Sequence, residues 1–512
     1  MRDLPKGWAD VTLSDVLVSV VGGGTPPRNV PAYFHGSIPW FTVKDMKTLK
    51  PSDAEEHISE VAIANSATNL IAANTLIVAT RIALGRAIRP KVDCAINQDL
   101  KALLLGQGVN PDFILYWVGA NERVIQDLGS GTTVSGIRLE ALHGLPLLLP
   151  PRVEQTRIVA KLEELLSDLD AGVAELKAAK KKLAQYRQSL LKAAVEGTLT
   201  AEWRAKNPAT ETGAQLLERI LTERRARWEA KQLAKFKEQG KTPPKDWQKK
   251  YPKPVQPGTT GLPELPEGWV WASVEQIASD ERYSLSIGPF GSNLKVPDYR
   301  DTGVPLVFVR NIRSGNYGGI YTKYVTPEKA LELGAHSIAA GDVLVTKMGE
   351  PPGDADVYPN DQPPAVITAD CIKIRCWPGL MEPRLLKGVI NSHIGQRQIE
   401  PMTQGVAQKK VSLGRFTSLA VPVPSADEQV LIVQAVTVAD REASEQFVAI
   451  NHALKQSTAQ RQNILRAAFS GQLVPQDPND EPASELLARI RAERAQREAD
   501  KKPRGRKPKE AT

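Results

Sequence analysis

The chain has few cysteines and no long apolar run. Its 512 residues include only three cysteines, Cys94, Cys371 and Cys376. A sparse, odd set is typical of a reducing compartment and argues against a disulfide-stabilised fold. No apolar run approaches the roughly 18 residues of a transmembrane helix, and the N-terminus lacks the apolar core of a signal peptide. We therefore expect a cytoplasmic protein.

Motifs for catalysis and metal binding are also missing. There is no GxxxxGK[ST] phosphate-binding sequence, no GxSxG nucleophile motif and no HExxH metal motif. Cys371 and Cys376 are five residues apart with no histidine nearby, a poor set of zinc ligands. The three glycines at 22–24 are followed by threonine and two prolines, which is typical of a turn. The sequence therefore predicts no catalytic residue, no metal site and no cofactor in this chain.

The excess of positive charge is modest. The chain carries 66 lysine and arginine residues against 58 aspartate and glutamate residues, a net charge of +8. Such an excess is compatible with DNA or RNA as a partner, but many basic proteins bind no nucleic acid. A chain of 512 residues is too long for one hydrophobic core, so we expect several structural units.

An internal repeat divides the sequence into two similar halves. The sequence LPKGW at 4–8 reappears as LPEGW at 265–269. Residues 131–199 of the first half align with 405–473 at a constant shift of 274 residues and without insertions. A stretch that tolerates no insertion indicates an element whose length matters. The repeat must be taken into account before any fold is assigned.

Two long helices are predicted within the aligned stretch. Between 151 and 197 leucines recur every seven residues, the spacing of a coiled-coil seam. Such a seam is stable only with a partner, and the second copy at 428–471 supplies one in the same chain. The seam alone does not distinguish antiparallel from parallel packing. The predicted seam residues are Leu162, Leu169, Leu176, Leu183 and Leu190 in the first helix and Val436, Ala443, Ile450 and Ile464 in the second.

The segments that precede the long helices are predicted to be mixed α/β domains. Short apolar runs bounded by Gly, Pro, Asn and Asp indicate strands, and longer apolar stretches indicate helices. Strands are predicted at 75–80, 100–105, 305–310, 342–346 and 371–375, and helices at 113–126 and 383–399.

The remaining segments are strongly polar. A charged helix is predicted at 211–239, and a loose linker rich in Pro, Lys and Gly follows at 242–263. Near the C-terminus a short helix is predicted to precede a disordered basic tail, KKPRGRKPKE. Within that tail PRGRKP at 503–508 resembles an AT-hook core with one inserted lysine, although a solvating tail also accounts for it.

Basic and polar residues occupy equivalent places in the two copies. Lys44 and Lys47 correspond to Arg310 and Arg313, and glycine-bearing polar loops precede both long helices. Such side chains can contact phosphates and base edges, whereas an ordinary exposed loop is the alternative interpretation for each residue. The candidate DNA contacts are Thr25, Arg28, Lys44, Lys47, Arg81, Arg86, Thr132, Thr133, Ser135, Ser292, Asn293, Lys295, Arg310, Arg313, Lys347, Gln408, Lys409 and Lys410.

Taken in order, these features resemble the specificity subunit of type I restriction–modification enzymes. The resemblance rests on the two LPxGW openings, on GGTP at 23–26 and on GPFGS at 288–292. It rests also on the PxxxEQxxI patterns that end at Ile158 and Ile432, and on the helix endings KAAVEG and RAAFSG. No single motif is specific, but the ordered and duplicated set covers nearly the whole chain.

The resemblance implies two target-recognition domains separated by a pair of long helices that pack as an antiparallel coiled coil, with an internal pseudo-two-fold repeat. The expected divisions are 1–150 for the first recognition domain, 151–198 for the first spacer helix, 199–264 for a charged helical connector and flexible linker, 265–424 for the second recognition domain, 425–472 for the second spacer helix, and 473–512 for a short helix and basic disordered tail.

The resemblance also implies a function. Each domain would read one half of a bipartite site in double-stranded DNA, and the helices would set the spacer and dock two methyltransferase subunits. Motor–nuclease subunits would join through the complex. S-adenosylmethionine, ATP and Mg²⁺ would belong to those partners, so this chain would carry no active site. From the residues alone, a coiled-coil scaffold or adaptor with two binding modules and no DNA role is the alternative.

Overall fold

The protein is described by a computed structural model that covers residues 4–130, 135–319, 321–405 and 408–500. The chain divides into two compact units. Unit 1 comprises Met1–Lys177 and Asn451–Thr512, and unit 2 comprises Ala178–Ile450. Each unit therefore contains one globular domain together with parts of both long helices. In the described part of the chain no helix has the length and apolar character needed to cross a membrane.

The first globular domain contains two sheets. Its strands are β1 (Ala9–Thr12), β2 (Leu17–Gly22), β3 (Ile38–Phe41), β4 (His57–Ile58), β5 (Leu76–Ala79), β6 (Ala87–Ile88), β7 (Ala95–Ile96), β8 (Leu100–Leu105) and β9 (Pro146–Leu149). Its helices are α1 (Glu60–Ala64), α2 (Pro111–Ala120), α3 (Glu122–Asp127) and α4 (Leu139–His143). The first sheet has the antiparallel order β2-β8-β5-β6, and the second is the mixed sheet β4-β3-β7. A separate pair, β1 and β9, lies next to the long helix.

The chain then passes through three helices into the second domain and ends in two more. The three helices are α5 (Arg152–Val195), α6 (Ala201–Lys206) and α7 (Gly213–Glu238). The second domain has strands β10 (Val270–Ser273), β11 (Leu285–Ile287), β12 (Val304–Val307), β13 (Lys323–Val325), β14 (Ser337–Ile338), β15 (Val343–Thr346), β16 (Ala355–Val357), β17 (Ala365–Ile367), β18 (Cys371–Ile374), β19 (Thr403–Gln404), β20 (Lys410–Val411) and β21 (Ala420–Val423). Its helices are α8 (Val274–Ile277), α9 (Val309–Ser314), α10 (Pro327–Glu332), α11 (Pro383–Asn391), α12 (His393–Ile399) and α13 (Leu413–Phe416), and they are followed by α14 (Ala426–Phe469) and α15 (Ala483–Asp500).

The two domains share one topology. The sheet β11-β18-β15-β16 repeats the order of β2-β8-β5-β6, and β13-β12-β17 repeats β4-β3-β7 with β14 added. β10 pairs with β21 as β1 pairs with β9. The mixed α/β fold class and the internal repeat are confirmed at the level of strand order.

Three predicted elements differ from the structure. The strand predicted at 305–310 ends at Val307, because Asn311 Oδ1 accepts a hydrogen bond from Phe308 N (2.9 Å) and turns the chain into α9. The helix predicted at 113–126 is interrupted at Asn121, whose side-chain amide donates to Trp117 O (2.8 Å) at the end of α2. The helix predicted at 383–399 is interrupted at Ser392, whose hydroxyl accepts a hydrogen bond from Gly395 N (3.1 Å) and caps a new helix. Local capping thus ends each element earlier than apolar content suggests.

Both long helices have the length that the sequence predicts. α5 and α14 contain 44 residues each, which corresponds to about 66 Å at 1.5 Å per residue. Of the predicted seam residues, Leu162 and Ala443 are buried. The half-buried ones are Leu169, Leu176, Leu183, Leu190, Val436, Ile450 and Ile464.

In each unit the two helices run antiparallel. In unit 1 Asp170 of α5 forms an ion pair with Arg461 of α14, and Leu162 shares a core with Ala468. In unit 2 Arg187 of α5 lies 3.1 Å from Asp440 of α14. Later residues of α5 therefore contact earlier residues of α14, and the antiparallel packing of the fold prediction is confirmed.

A buried Glu-Gln pair fastens α5 to the first domain. Trp8 of the LPKGW opening donates its indole N–H to Glu154 Oε2 (3.0 Å). Gln155 Oε1 accepts from the backbone N–H of Asn110 (2.8 Å), the N-cap of α2, and its amide donates to Pro150 O (2.9 Å). Both side chains are at most 1% exposed. The glycine of the opening, Gly7, has φ +80, a conformation that favours glycine.

The same pair recurs at the start of α14 with more partners. Trp269 donates to Glu428 Oε2 (2.8 Å), and Gln429 Oε1 accepts from Glu382 N (2.8 Å) at the start of α11. Glu428 Oε1 also accepts hydrogen bonds from Thr200 and Arg204, both at 2.6 Å. By contrast Glu154 Oε1 is buried without a hydrogen-bond partner among the described residues. Burial is the main reason that the pKa of Glu154 is raised.

Each globular domain is completed by the helix that follows the other domain's long helix. Leu216 and Ile220 of α7 lie in the core of unit 2, and Leu486 and Ile490 of α15 lie in the core of unit 1. Ala483 N donates to Gly7 O at 2.9 Å, and Ala214 N donates to Gly268 O at 3.2 Å. The two connector helices are therefore equivalent in position as well as in sequence.

The segment between α7 and the second domain contacts that domain at several points. Val255 N donates to Glu275 Oε2 (2.8 Å), and Ser273 Oγ donates to Val255 O (2.6 Å). Gly258 N donates to Ser418 O at 3.2 Å. The sequence predicts a flexible linker in this region, whereas these contacts hold the segment against the second domain.

The two glutamates provide a matched test of the Glu-Gln pair. We expect Glu428→Gln to lower the free energy of unfolding by about 2–4 kcal/mol, because it leaves the Arg204 guanidinium without its buried counter-charge. Glu154→Gln keeps an acceptor for Trp8 and removes an unpaired buried charge, so its change should stay within about 1 kcal/mol. Urea unfolding followed by tryptophan fluorescence measures both, and equal losses would contradict the assignment.

Candidate nucleic-acid interface

In the first domain three loops meet beyond the end of β2. They are 22–28, 80–81 and 97–99, and we call them the first loop cluster. Gly24 N donates to Ile96 O (2.9 Å), and Thr80 N donates to Asp99 O (2.9 Å). Trp40 Nε1 donates to Gly24 O (3.1 Å). A Cβ at Gly23 would lie 1.9 Å from Asn97 O. The glycines of this loop are therefore required by close approach of two backbones.

The second domain builds an equivalent second loop cluster from 288–295, 346–348 and 368–370. A Cβ at Gly288 would lie 2.0 Å from Thr368 O. Lys347 N donates to Asp370 O (2.7 Å), as Thr80 N does to Asp99 O. The GGTP and GPFGS sequences thus perform the same structural task. Their neighbouring side chains differ, so the two clusters present different chemical groups on one framework.

The loop that precedes each long helix reaches the same edge. A bridge joins Ser130 to Gly136, and its equivalent joins Gln404 to Lys410 through β19 and β20. Gly136 also pairs with Arg81, and Lys410 pairs with Met348. Ser135 O accepts from Ile82 N at 2.9 Å. These pairs bring the predicted contacts Ser135 and Lys410 beside their clusters. The predicted contacts Thr132 and Thr133 lie outside the described residues.

Several predicted cations of the first domain are already paired. Arg28 forms two hydrogen bonds with Glu56 (2.5 and 3.2 Å), and its guanidinium lies 4.5 Å from the centre of the Phe34 ring. Lys47 Nζ lies 2.7 Å from Glu55. Arg81 lies 3.6 Å from Asp99. The Arg28–Glu56 and Lys47–Glu55 pairs are exposed, and exposed ion pairs contribute only about 0–1 kcal/mol. A phosphate can therefore replace the carboxylate at small cost.

The second domain has a larger share of unpaired cations. Arg313 is paired with Asp354 (2.7 Å) and donates to Pro351 O (2.8 Å). Lys347 Nζ donates to a backbone oxygen, Ala369 O at 3.4 Å, and Arg310 donates to Tyr321 O at 2.8 Å. Among the described residues, the predicted cations without a carboxylate within 4 Å are Lys44 and Arg86 in the first domain and Lys295, Arg310, Lys347, Lys409 and Lys410 in the second.

The remaining predicted contacts have local roles as well. Thr25 donates a hydrogen bond to Gln98 Oε1, and Ser292 Oγ donates to Asn293 Oδ1 (3.2 Å). Gln408 is exposed next to Lys409. The sequence prediction did not include Gln98 or the other residues of 97–99 and 368–370. These loops belong to the first and the second loop cluster. The signal was available, because INQDL and ITADC occupy equivalent positions in the repeat.

The clusters offer mainly hydrogen-bonding and charged groups. No group of His, Cys, Asp and Glu suited to a metal ion occurs in the part of the chain that the structure describes. The cysteines are buried and free, and burial raises the pKa of Cys94 and of Cys371 to about 12. Their thiolates are therefore scarce at neutral pH. Exposed amides, hydroxyls and cations remain, which are the groups that contact phosphates and base edges.

Several known proteins have sequences similar to this chain. Residues 5–181 match the family model of the type I restriction modification DNA specificity domain. The EcoR124I/EcoR124II type I restriction enzyme specificity subunit of Escherichia coli is 29% identical over 180 residues, which are 33% of this chain and 45% of that protein's length. The EcoDI specificity subunit of Escherichia coli is 24% identical over 410 residues, 76% of this chain and 77% of that protein.

A solved structure has the same fold. It comes from work on complex assembly and conformational transition of the type I R-M system, and it superposes with a TM-score of 0.61 at 16% identity. The superposition covers 92% of this chain and all of that one. The matched domain is the first of two domains that share one strand order. Residues 5–181 thus carry the type I restriction modification DNA specificity domain, and over most of its length the chain is similar to type I restriction enzyme specificity subunits.

Two nearby glycines test the loop framework. We expect Gly288→Ala to lower the free energy of unfolding by about 1–3 kcal/mol, because the new methyl group would collide with backbone atoms of Thr368. Gly291→Ala is the matched control, since a Cβ there meets no atom within 4 Å. Denaturant midpoints measure both variants. Equal midpoints would show that the close approach does not constrain the loop.

Proposed function

We propose that this chain is the DNA sequence-specificity subunit of a type I restriction–modification complex, and that each domain reads one half of a bipartite site. The observation that carries the proposal is the pair of loop clusters, built on one topology but lined by different side chains. Asn97 and Gln98 of the first cluster correspond to Thr368 and Ala369 of the second. Equal frameworks with unlike side chains suit two reading heads that recognise unlike half-sites.

The division of labour within a cluster follows from the side chains. Lysines and arginines such as Lys347 and Lys410 bind phosphates and fix the register on the duplex. Polar loop residues such as Gln98 and Asn293 present the hydrogen-bond donors and acceptors that distinguish base edges in the major groove.

The catalytic steps are assigned to other subunits. Two methyltransferase subunits dock on the long helices, and motor–nuclease subunits join through the complex. S-adenosylmethionine, ATP and Mg²⁺ then bind to those partners, and this chain contributes recognition without catalysis. The similarity to type I specificity subunits and the lack of familiar catalytic motifs in the sequence support this division.

Domain exchange tests the reading heads. Replacing residues 14–140 by the corresponding segment of another specificity subunit leaves Trp8 and the β1–β9 pair in place. We expect methylome sequencing of cells that carry the hybrid to report a changed first half-site and an unchanged second one. The reciprocal exchange of 275–414 should change only the other half. A hybrid that alters both halves would contradict separate heads, and a site independent of this chain would favour the scaffold interpretation.

We further propose that the paired helices set the spacer between the half-sites. Leu162 of α5 packs in one core with Ala468 of α14, and the Asp170–Arg461 and Arg187–Asp440 pairs form in the same register, so sliding one helix along the other would disrupt all of these contacts. A helix pair of constant length suits this task, since duplex DNA has a constant rise of about 3.4 Å per base pair.

A matched insertion tests the spacer. One heptad added after Lys177 and one after Ile450 lengthens both helices by about 10.5 Å and preserves the seam. We expect the methylated motif to gain about three base pairs of spacer, as read by methylome sequencing. A heptad in α5 alone is the control and should abolish modification, because the helices fall out of register. An active double insertion with the original spacer would refute the proposal.

A further inference from the structure

One short segment carries almost all of the chain's excess positive charge. Residues 225–253, the end of α7 and the stretch after it, contain ten lysines and arginines and three acidic residues, against a net charge of +8 for the whole chain. We call this segment the basic hairpin. Its cations are Arg225, Arg227, Lys231, Lys235, Lys237, Lys241, Lys245, Lys249, Lys250 and Lys253.

Aromatic stacking folds the basic hairpin. The rings of Trp228 and Trp247 stack with centroids 5.8 Å apart and an interplanar angle of 21°. Phe236 meets Trp247 edge-on at 6.2 Å, and Tyr251 meets Trp228 at 5.5 Å. These contacts turn the chain back along α7 after residue 240. Because the aromatic rings contact one another, they stabilise the hairpin and leave its outer surface to the charged side chains.

Most of the lysines on that surface are unpaired. Lys231 pairs with Asp280 at 3.2 Å, and Lys249 pairs with Asp246 at 2.9 Å. In the described part of the chain, six exposed lysines have no carboxylate within 4 Å: Lys235, Lys237, Lys241, Lys245, Lys250 and Lys253. Their mutual repulsion is uncompensated within unit 2, so an anionic partner would stabilise them.

The basic hairpin is fixed to the second domain away from the second loop cluster. Arg224 donates to Glu275 O (2.8 Å) and to Ala278 O, and its guanidinium lies 5.4 Å from the centre of the Trp377 ring. Trp377 follows β18, whereas the loop at 368–370 precedes it. The hairpin root and the loop cluster therefore lie at opposite ends of the same sheet. The surface of the basic hairpin is therefore separate from the second loop cluster.

A similar basic segment recurs in the other half of the sequence. Arg494 of α15 donates to Ser14 O and Leu17 O, as Arg224 of α7 does in the second domain. After this anchoring helix, 501–512 contains six lysines and arginines and one glutamate. Each connector helix is therefore followed in sequence by a strongly basic stretch. A recurrence on both halves fits a partner that both domains contact.

We propose that the basic hairpin binds the phosphate backbone of duplex DNA outside the bases that the loop clusters read. This inference rests on the proposed function, which brings duplex DNA to unit 2. Lysines suit phosphates, because they act as flexible point charges and need no fixed geometry. The hairpin is a poor membrane anchor, since its stacked aromatic rings leave Leu233 as its one large exposed apolar side chain among the described residues.

The expected consequence is a share of affinity that does not depend on sequence. Each phosphate contact contributes about 0.9 to the slope of log Kobs against log salt concentration. Replacing the six unpaired lysines by glutamine should lower the magnitude of that slope by up to about 5. The variant's preference for the specific site over random DNA should differ from that of the wild type by no more than about twofold, because phosphate contacts carry no sequence information.

The test uses the full chain and two 40-base-pair duplexes, one of random sequence and one containing the site found by methylome sequencing. Fluorescence anisotropy between 50 and 200 mM salt gives the slope for the wild type, the six-glutamine variant and a control with the same change of charge. The control replaces Lys6, Lys91, Lys177, Lys182, Lys206 and Lys455, which are exposed and lie outside the hairpin. Thermal melting checks that both variants are folded.

The proposal is supported if, on random DNA, the six-glutamine variant lowers the magnitude of the slope by at least about 1.5 more than the control does. A smaller difference between the two variants overturns it. Weaker binding to anionic vesicles or to a co-expressed methyltransferase, without that excess, also overturns it in favour of a lipid or protein partner. The proposed function is judged separately by the wild type. A wild-type chain with no preference for the specific duplex contradicts that function, whatever the slopes show.

Discussion

A single carboxylate and a single amide, buried side by side, join each long helix to its domain. Glu154 and Gln155 begin α5, and Glu428 and Gln429 begin α14. The glutamate accepts the indole N–H of the LPxGW tryptophan, and the glutamine caps a helix of the same domain. Buried polar groups of this kind are costly unless partnered. The direction in which each helix leaves its domain therefore depends on these hydrogen bonds.

The two halves are most alike where they are anchored and least alike where they are exposed. The tryptophan–glutamate bond, the glutamine cap and the docked connector helix recur with similar distances. In the loop clusters only the backbone framework is retained, through Gly23 and Gly288. The residues that anchor each long helix thus differ from those that line the loop clusters, so the exposed loops can vary without disrupting the anchored part of the domain.

Sequence reasoning found the long helices because a heptad repeat is a property of the chain alone. It found β5, β8, β15 and β18 because buried strands are short apolar runs. It predicted that one strand and two helices continue past Phe308, Asn121 and Ser392. At each of these residues a side-chain hydrogen bond ends the element although apolar residues follow in the sequence. The candidate site was harder to define. That Glu56 would pair with Arg28, or Asp354 with Arg313, depends on residues 28 and 41 positions apart brought together by the fold.

Unit 1 is assembled from the two ends of the chain, and this has a consequence for synthesis. The hydrogen bond between Gly7 and Ala483 and the docking of α15 close a loop that includes all of unit 2. The residues of unit 2 all leave the ribosome before α15 does. Of the two domains, the one translated earlier is therefore completed later, and during elongation it exposes the apolar surface that Leu486 and Ile490 later cover. Until α15 has been synthesised, the nascent chain has to keep this apolar surface from aggregating.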